Sequence, residues 1–285
     1  MDFIKRNSLL YKTNVEYGDY TINHILGCAH GCLYPCYAMR MSIRFGRIKT
    51  YKDWLKPKLV ANSLELLEKE IPKYKGRINS VHLCFMSDPF MVGYPEVSKM
   101  SLKIMEILNR HGIKVTTLSK GIYPNNLLHY ATNPMNEYGI TLVSDNIEFQ
   151  RKFEPFAAKW RLRLKSLENL SKQGAKTWVS MEPYPTPNII KQDIGRILNR
   201  ILFTNRIVFG RLNYNSCSTK YNNHSEFYND LCHQVSEFCE RNNIICHIKS
   251  GTFTQPASSH PTPDLTFLHP SSSRTPDKVA TLAGY

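Results

Sequence analysis

The chain has 285 residues, 42% hydrophobic and 21% charged, which excludes a chain disordered throughout and a collagen-like fibre. Lys plus Arg number 37 against 23 Asp plus Glu, a net charge of +14 that favours acidic or polyanionic partners and says nothing of fold. Eight cysteines are too few for a disulfide-stapled miniprotein, no run reaches the ~18 apolar residues of a membrane span, and the opening MDFIKRNSLLYK carries no secretory signal, so a reduced, cytoplasmic setting is expected.

Strand-like and helix-like runs then alternate. Thr21–Gly27 predicts a short strand ending at a glycine, and Tyr51–Tyr74 a helix with Leu55, Leu59, Leu66, Leu67 and Ile71 on one stripe. Ser80–Phe85 reads as a strand, Pro95–His111 as a helix stopped by Gly112, Ile113–Leu118 as a strand and Pro124–Ala131 as a short helix. Gly139–Val143 predicts a strand, Pro155–Gln173 a helix stopped by Gly174, Ala175–Met181 a strand and Asn188–Leu202 a helix. Arg206–Phe209 is a strand, Ser225–Asn242 a helix and Ile244–Ile248 a last strand. This alternation predicts an α/β fold of parallel βα units with right-handed crossovers. Six or seven repeats are enough for a partial (β/α)6 TIM-type barrel with outer helices, and a doubly wound sheet is the competing layout. In either, chemistry belongs at the C-terminal ends of the strands. The last 34 residues hold five Pro, five Ser and six Thr, so residues 1–251 are expected to form the folded domain and 252–285 a flexible tail.

The densest chemical signal follows the first expected strand: Gly27-Cys28-Ala29-His30-Gly31-Cys32-Leu33-Tyr34-Pro35-Cys36-Tyr37-Ala38. Spacing of i, i+4, i+8 would line one helix face, but Gly27, Gly31 and Pro35 oppose a helix and favour a loop in which three thiolates turn inward. Structural zinc wants four ligands, and His30, between two cysteines, is an awkward fourth. Three thiolates with one open position suit an iron–sulfur cluster with a unique iron.

This loop resembles that of the radical S-adenosylmethionine (radical SAM) enzymes, and more closely the spore photoproduct lyase-like branch, whose loop reads roughly GCxHGCxYCYA; the inserted Pro35 makes the spacing CxxxCxxxC. Ser87-Asp88-Pro89 resembles the branch's Ser/Thr-Asp-Pro, Ser119-Lys120-Gly121 its Thr-Lys-Ser, and Phe153-Glu154-Pro155 its Leu-Glu-Pro, in the family's order. The resemblance implies a [4Fe–4S] cluster on Cys28, Cys32 and Cys36, and S-adenosylmethionine (SAM) bound through the open iron. It implies reductive cleavage to a 5′-deoxyadenosyl radical that abstracts hydrogen from a substrate. It further implies Ser87 and Asp88 at the SAM ammonium, Lys120 at the carboxylate, and Tyr34 or Tyr37 beside the adenine. An external one-electron donor, flavodoxin- or ferredoxin-like, follows from the same resemblance. The branch's hydrogen-donating cysteine, just before Ser-Asp, makes Cys84 a catalytic candidate; a small buried hydrophobe is the alternative.

Further candidates stand at strand ends. Thr141 and Ser144 are candidates for polar contact to the cofactor or plain strand-end polarity, and Glu182 a partner of ribose hydroxyls or substrate or a solvent-facing loop glutamate. Arg211, Asn213 and Lys249 point toward the same mouth by topology. The stretches 40–58 and 151–165 are rich in Lys and Arg with interleaved aromatics, which fits an anionic or nucleic-acid substrate as well as plain solvated helix faces. The competing function is a non-enzymatic protein, stabilised by zinc or iron–sulfur, that binds nucleic acid through these stretches.

Overall fold

The computed structural model describes residues 1–74 and 76–254, and the expected tail lies outside them from residue 255 on. The chain opens with β1 (Asp2–Ile4), β2 (Leu10–Lys12), β3 (Tyr20–Ile22) and β4 (Ile25–Leu26). Helix α1 (Tyr37–Arg44) and the single turn α2 (Tyr51–Trp54) lead to β5 (Lys58–Val60) and α3 (Ser63–Glu70). Then follow β6 (Ser80–Leu83), α4 (Pro95–Arg110), β7 (Lys114–Ser119), α5 (Leu127–Tyr130), β8 (Glu137–Thr141), α6 (Ile147–Phe153), α7 (Trp160–Lys172) and β9 (Lys176–Tyr184). The series ends with α8 (Ile194–Arg200), β10 (Arg206–Arg211), α9 (Ser216–Thr219), α10 (His224–Arg241) and β11 (Ile245–Ile248).

Strands β3, β6, β7, β8, β9, β10 and β11 run parallel and in chain order in one sheet, and β2 pairs antiparallel outside β3. This sequential order excludes the doubly wound layout, whose strand order reverses at a switch point. Six βα units and a closing strand make the partial barrel expected from the pattern. The sheet is curled: His82 on β6 and Trp178 on β9 are three strands apart, about 14 Å in a flat sheet, yet their ring centroids lie 6.4 Å apart. Inside the curl, Tyr17 from the loop before β3 packs edge-on against His82, Trp178 and His247. At the other end of the strands Glu137 on β8 pairs with Lys114 on β7 and Arg206 on β10. The helices bury the stripes that the sequence marks out: Val97, Leu102, Met105 and Leu108 of α4 face the core. Among the described residues, no helix is long and apolar enough to cross a membrane.

Three expectations change. The helix over Tyr51–Tyr74 is broken: Pro57 offers no N–H to a helical ladder, and Lys58–Val60 pair in parallel with Asp2–Ile4 instead. The run Thr21–Gly27 divides between sheets, Tyr20–Ile22 joining the barrel and Ile25–Leu26 a three-stranded sheet with β5 and β1. The folded unit also extends three residues past 251. Thr252 is buried, and the Asn229 side chain donates to Thr254 O at 2.8 Å and accepts from Thr254 N at 2.9 Å.

Candidate metal and cofactor site

The cysteine loop leaves the C-terminal end of β3 through β4 and ends at α1, where Cys36 occupies the extended N-cap position. Two glycines make its course possible. Gly27 has φ +90°, and a Cβ there would stand 2.8 Å from Trp54 O, which accepts from Cys28 N at 2.9 Å. Gly31 has φ +64°, and its missing Cβ leaves room for the Phe156 ring. The loop lies between two small apolar clusters. Cys32 packs against Tyr34, Val143, Phe149 and Leu212, while Cys28 and Cys36 pack against Ala38, Ile48 and Trp54. Burial pushes the Cys28 thiol well up, with Asp88 adding to the shift, and the Cys32 thiol to about 11, where Lys120 opposes the rise.

Two buried ionic networks hold the loop. In the first, Asp88 Oδ1 accepts from Phe90 N (2.9 Å) and Ser119 Oγ (2.7 Å), and Oδ2 accepts from Lys120 N (2.7 Å). His30 Nε2 stands 2.9 Å from the same Oδ2, at ion-pair distance but outside hydrogen-bond angle. Burial opposes the Asp88 charge, but His30 and the donors hold its carboxyl down at about 2. Asp88 thus ties the cysteine loop to the ends of β6 and β7. His30 faces Asp88. Ser87 likewise turns inward, its Oγ donating to Gly27 O.

The second network centres on Glu154, just after α6. It accepts from Tyr34 Oη at 2.5 Å and from Arg163 at 2.6 Å, and Lys120 Nζ stands 3.9 Å away. Arg163 is buried on α7 and also donates to the carbonyls of Ala158 (2.7 Å) and Thr141 (3.1 Å). Burial raises the Glu154 carboxyl, yet Arg163 and Lys120 outweigh it and the net shift is downward. Lys120 loses solvation too, but Cys32 and Glu154 raise its pKa overall. Its ammonium lies 5.3 Å from the Tyr34 ring centroid. A cation is therefore held charged beside Cys32.

The other candidates spread around the mouth. Tyr37 is exposed and its hydroxyl donates to Phe85 O at 2.8 Å, whereas Tyr34 is buried on Glu154, so Tyr37 is the open aromatic of the pair. Glu182, half-buried at the end of β9, has a carboxyl raised by burial and lies against Gly210 beside Lys249. Ser144 accepts from Asn146 N at 3.1 Å and serves its own turn, and Thr141 lends its carbonyl to Arg163. Arg211 donates to Asn213 at 2.9 Å. Cys84 follows β6 with φ 66°, is 3% exposed within the main core, and its thiol stands 3.4 Å from His24 Nδ1. Sequence reading missed Glu16, Tyr17 and Arg163. Glu16 Oε2 stands 3.0 Å from His247 Nε2, a contact between residues 231 positions apart that no local pattern reveals.

The donor set, three free thiols on one loop, is of the kind an iron–sulfur cluster takes. Among the described residues, no three His, Cys, Asp or Glu side chains gather closely enough for one metal ion. An iron–sulfur cubane takes one thiolate per iron, so its ligands stand farther apart than those around a single zinc. The three cysteines share a loop, apolar surroundings and a neighbouring ammonium, and positive charge arriving there would replace their protons.

No family model matches the chain. "Uncharacterized protein ORF301" of Acidianus two-tailed virus is 24% identical over 218 residues, covering 70% of this chain and 68% of that protein. Among solved structures, a spore photoproduct lyase variant with bound AdoMet and dinucleoside spore photoproduct superposes with a TM-score of 0.62 at 13% identity, over 88% of this chain and 81% of that one. Spore photoproduct lyase complexed with the dinucleoside spore photoproduct gives 0.60 at 13% identity, over 86% and 80%. The order of the strands, their curl and this likeness agree on the architecture: the chain has the open parallel α/β barrel fold of spore photoproduct lyase.

Proposed function

We propose that the chain is a radical SAM enzyme that holds a [4Fe–4S] cluster on Cys28, Cys32 and Cys36 and abstracts hydrogen from a substrate at the barrel mouth. The observation that carries this reading is the position of the loop. Three cysteines stand at the C-terminal end of the first parallel strand, walled by apolar side chains, with the charged Lys120 beside Cys32. The shared fold supports it. When bound, the reduced cluster supplies the one-electron reduction that opens the sulfonium of SAM and starts hydrogen-atom abstraction.

The protein's own residues bind, orient and exclude water. Lys120 offers its ammonium to the SAM carboxylate, while Glu154, itself anchored by Arg163, holds it in place. Tyr37 offers a ring to the adenine and Glu182 a carboxyl to the ribose hydroxyls. Asp88 and Ser87 fix the loop from within. Phe45 beneath Arg47 and Tyr214 beneath Arg40 are exposed cation–ring pairs at 5.5 and 5.0 Å, which favours an anionic substrate, nucleic acid included.

Anaerobic reconstitution with iron and sulfide, followed by dithionite and SAM, tests the reading. The expected result is a brown protein whose cluster signal shifts with SAM, together with 5′-deoxyadenosine. Cys28→Ala, Cys32→Ala and Cys36→Ala should each lose both. One zinc per chain and no 5′-deoxyadenosine would sink the proposal.

A further inference from the structure

A second group of thiols gathers far from the cysteine loop in sequence, at the last edge of the barrel. Cys232, Ser236 and Cys239 fall at i, i+4 and i+7 of α10 and share one face of it. The turn after the helix folds back, with Ile244 N donating to Cys239 O at 2.9 Å, and sends β11 along that face. Alternation along the strand turns His247 into the lumen against Tyr17, and Cys246 and Ile248 toward the core beneath α10. Cys246 Sγ stands 3.9 Å from Ser236 Oγ, and the Cys239 thiol faces it as a hydrogen-bonding neighbour. Cys232 interacts with the same sulfur only by charge, at longer range. All three are free thiols.

The facing pair is unequal. Cys239 is 1% exposed in the main core, whereas Cys246 is half-buried on β11, which pairs with β10 alone. The contact with Cys239, helped by Ser236, lowers the Cys246 thiol against the effect of burial, and the same contact raises the Cys239 thiol. The more accessible sulfur is therefore the one that ionises first, and thiolate character with access is what makes a cysteine react with oxidants. A lone buried cysteine is explained by packing. Two thiols that meet across a helix and a strand also have a covalent product open to them.

We propose that Cys239 and Cys246 are a redox pair, oxidised by a peroxide to a disulfide that pins β11 to α10 at the open edge of the barrel. The Cys246 thiolate attacks one oxygen of hydrogen peroxide, the O–O bond breaks and hydroxide leaves, giving a sulfenic acid. The Cys239 sulfur then attacks the sulfenic sulfur, the S–O bond breaks, and water leaves with the Cys239 proton. The hydroxide takes up the proton that Cys246 lost, so two thiols and one peroxide give one disulfide and two waters. A dithiol reductant reverses the reaction by exchange. Glu16 fastens the same strand from the lumen side through His247, so the oxidation state of the pair sets how firmly this edge is shut.

The test uses the full chain, reduced and then treated with hydrogen peroxide. Trypsin cuts after Arg241 and a glutamate-specific protease after Glu237, so Cys232, Cys239 and Cys246 fall on separate peptides, apart from those of the cysteine loop. Non-reducing mass spectrometry should find Cys239 joined to Cys246, and dithiothreitol should undo the link. In the oxidised protein the amides of β11 should exchange hydrogen at least ~10-fold more slowly than in the reduced protein, with β7 and β8 unchanged. Cys246→Ser should abolish both effects, and Cys232→Ala should keep them. A Cys232–Cys246 link, no link at Cys246, or a link that leaves β11 exchange unchanged overturns the proposal. None of these readouts involves 5′-deoxyadenosine or a cluster, so the result is independent of the enzymatic reading.

Discussion

Asp88 is where the fold and the site meet in one side chain. Both its oxygens accept from donors in its own turn and at the end of β7, and His30 of the cysteine loop stands at ion-pair distance. Removing the acceptor leaves those donors buried and unpaired, so Asp88→Ala should cost about 3–5 kcal/mol of stability, measured by urea unfolding. Its pKa is depressed to about 2, against an ordinary value near 3.9 in the unfolded chain. A depressed carboxylate stabilises the fold above the unfolded pKa and loses that contribution as pH falls through the folded one. The gain, about 2.5 kcal/mol, is therefore complete above about pH 4 and disappears toward pH 2. Asp88→Asn should flatten this limb of an acid-unfolding curve followed by circular dichroism; an unchanged limb would refute the assignment.

At the scale of elements, two turns at the C-terminal ends of β6 and β7 are pressed together. A Cβ on Gly121 would stand 1.7 Å from Phe90 O, a backbone atom that cannot swing aside. Gly121→Ala should thus separate the turns that carry Asp88 and Lys120 and destabilise the protein by about 3 kcal/mol or more. Thermal unfolding measures the loss, and a variant as stable as wild type would contradict the contact. Elements like β6, β7 and β9 are legible in sequence because they are apolar runs bounded by glycine or polar turns. Strands β1, β2 and β5 are only three residues long, and their strand state comes from partners elsewhere in the chain. Local periodicity therefore favours helix over 51–74, although Pro57 marks the break. The cysteine loop is legible for the opposite reason, since its chemistry is written in consecutive residues. The inward turn of Asp88, Ser87 and His30 is not legible, because a motif names residue types and not the direction of a side chain. Glu154 and Arg163 are nine positions apart and meet only through the bend between α6 and α7.

At the scale of the whole molecule, the barrel is open between β11 and the β2–β3 edge, and the segment before β3 bridges the gap. Glu16 reaches His247 at 3.0 Å, Ser250 N at 3.3 Å and Lys249 at 3.7 Å, while Tyr17 fills the lumen. The ionic contacts are partly exposed, so Glu16→Ala should cost up to about 1 kcal/mol globally. Its local effect should be larger. Hydrogen exchange of residues 245–254 should speed up while β7 and β8 stay protected. Equal acceleration everywhere, or none, would show that Glu16 does not fasten this edge.

The sequential strand order also sets a timetable for assembly. Each barrel strand after the first pairs with one formed earlier in the chain, so βα units can be added one at a time and most loop closures stay short. Glu16 and Tyr17 are the exception, since their partners on β11 are synthesised some 230 residues later. Until then the lumen-filling ring has no outer wall on one side. The last strand to form therefore decides when the interior is shut to water, and a slow final phase in refolding should report the docking of β11.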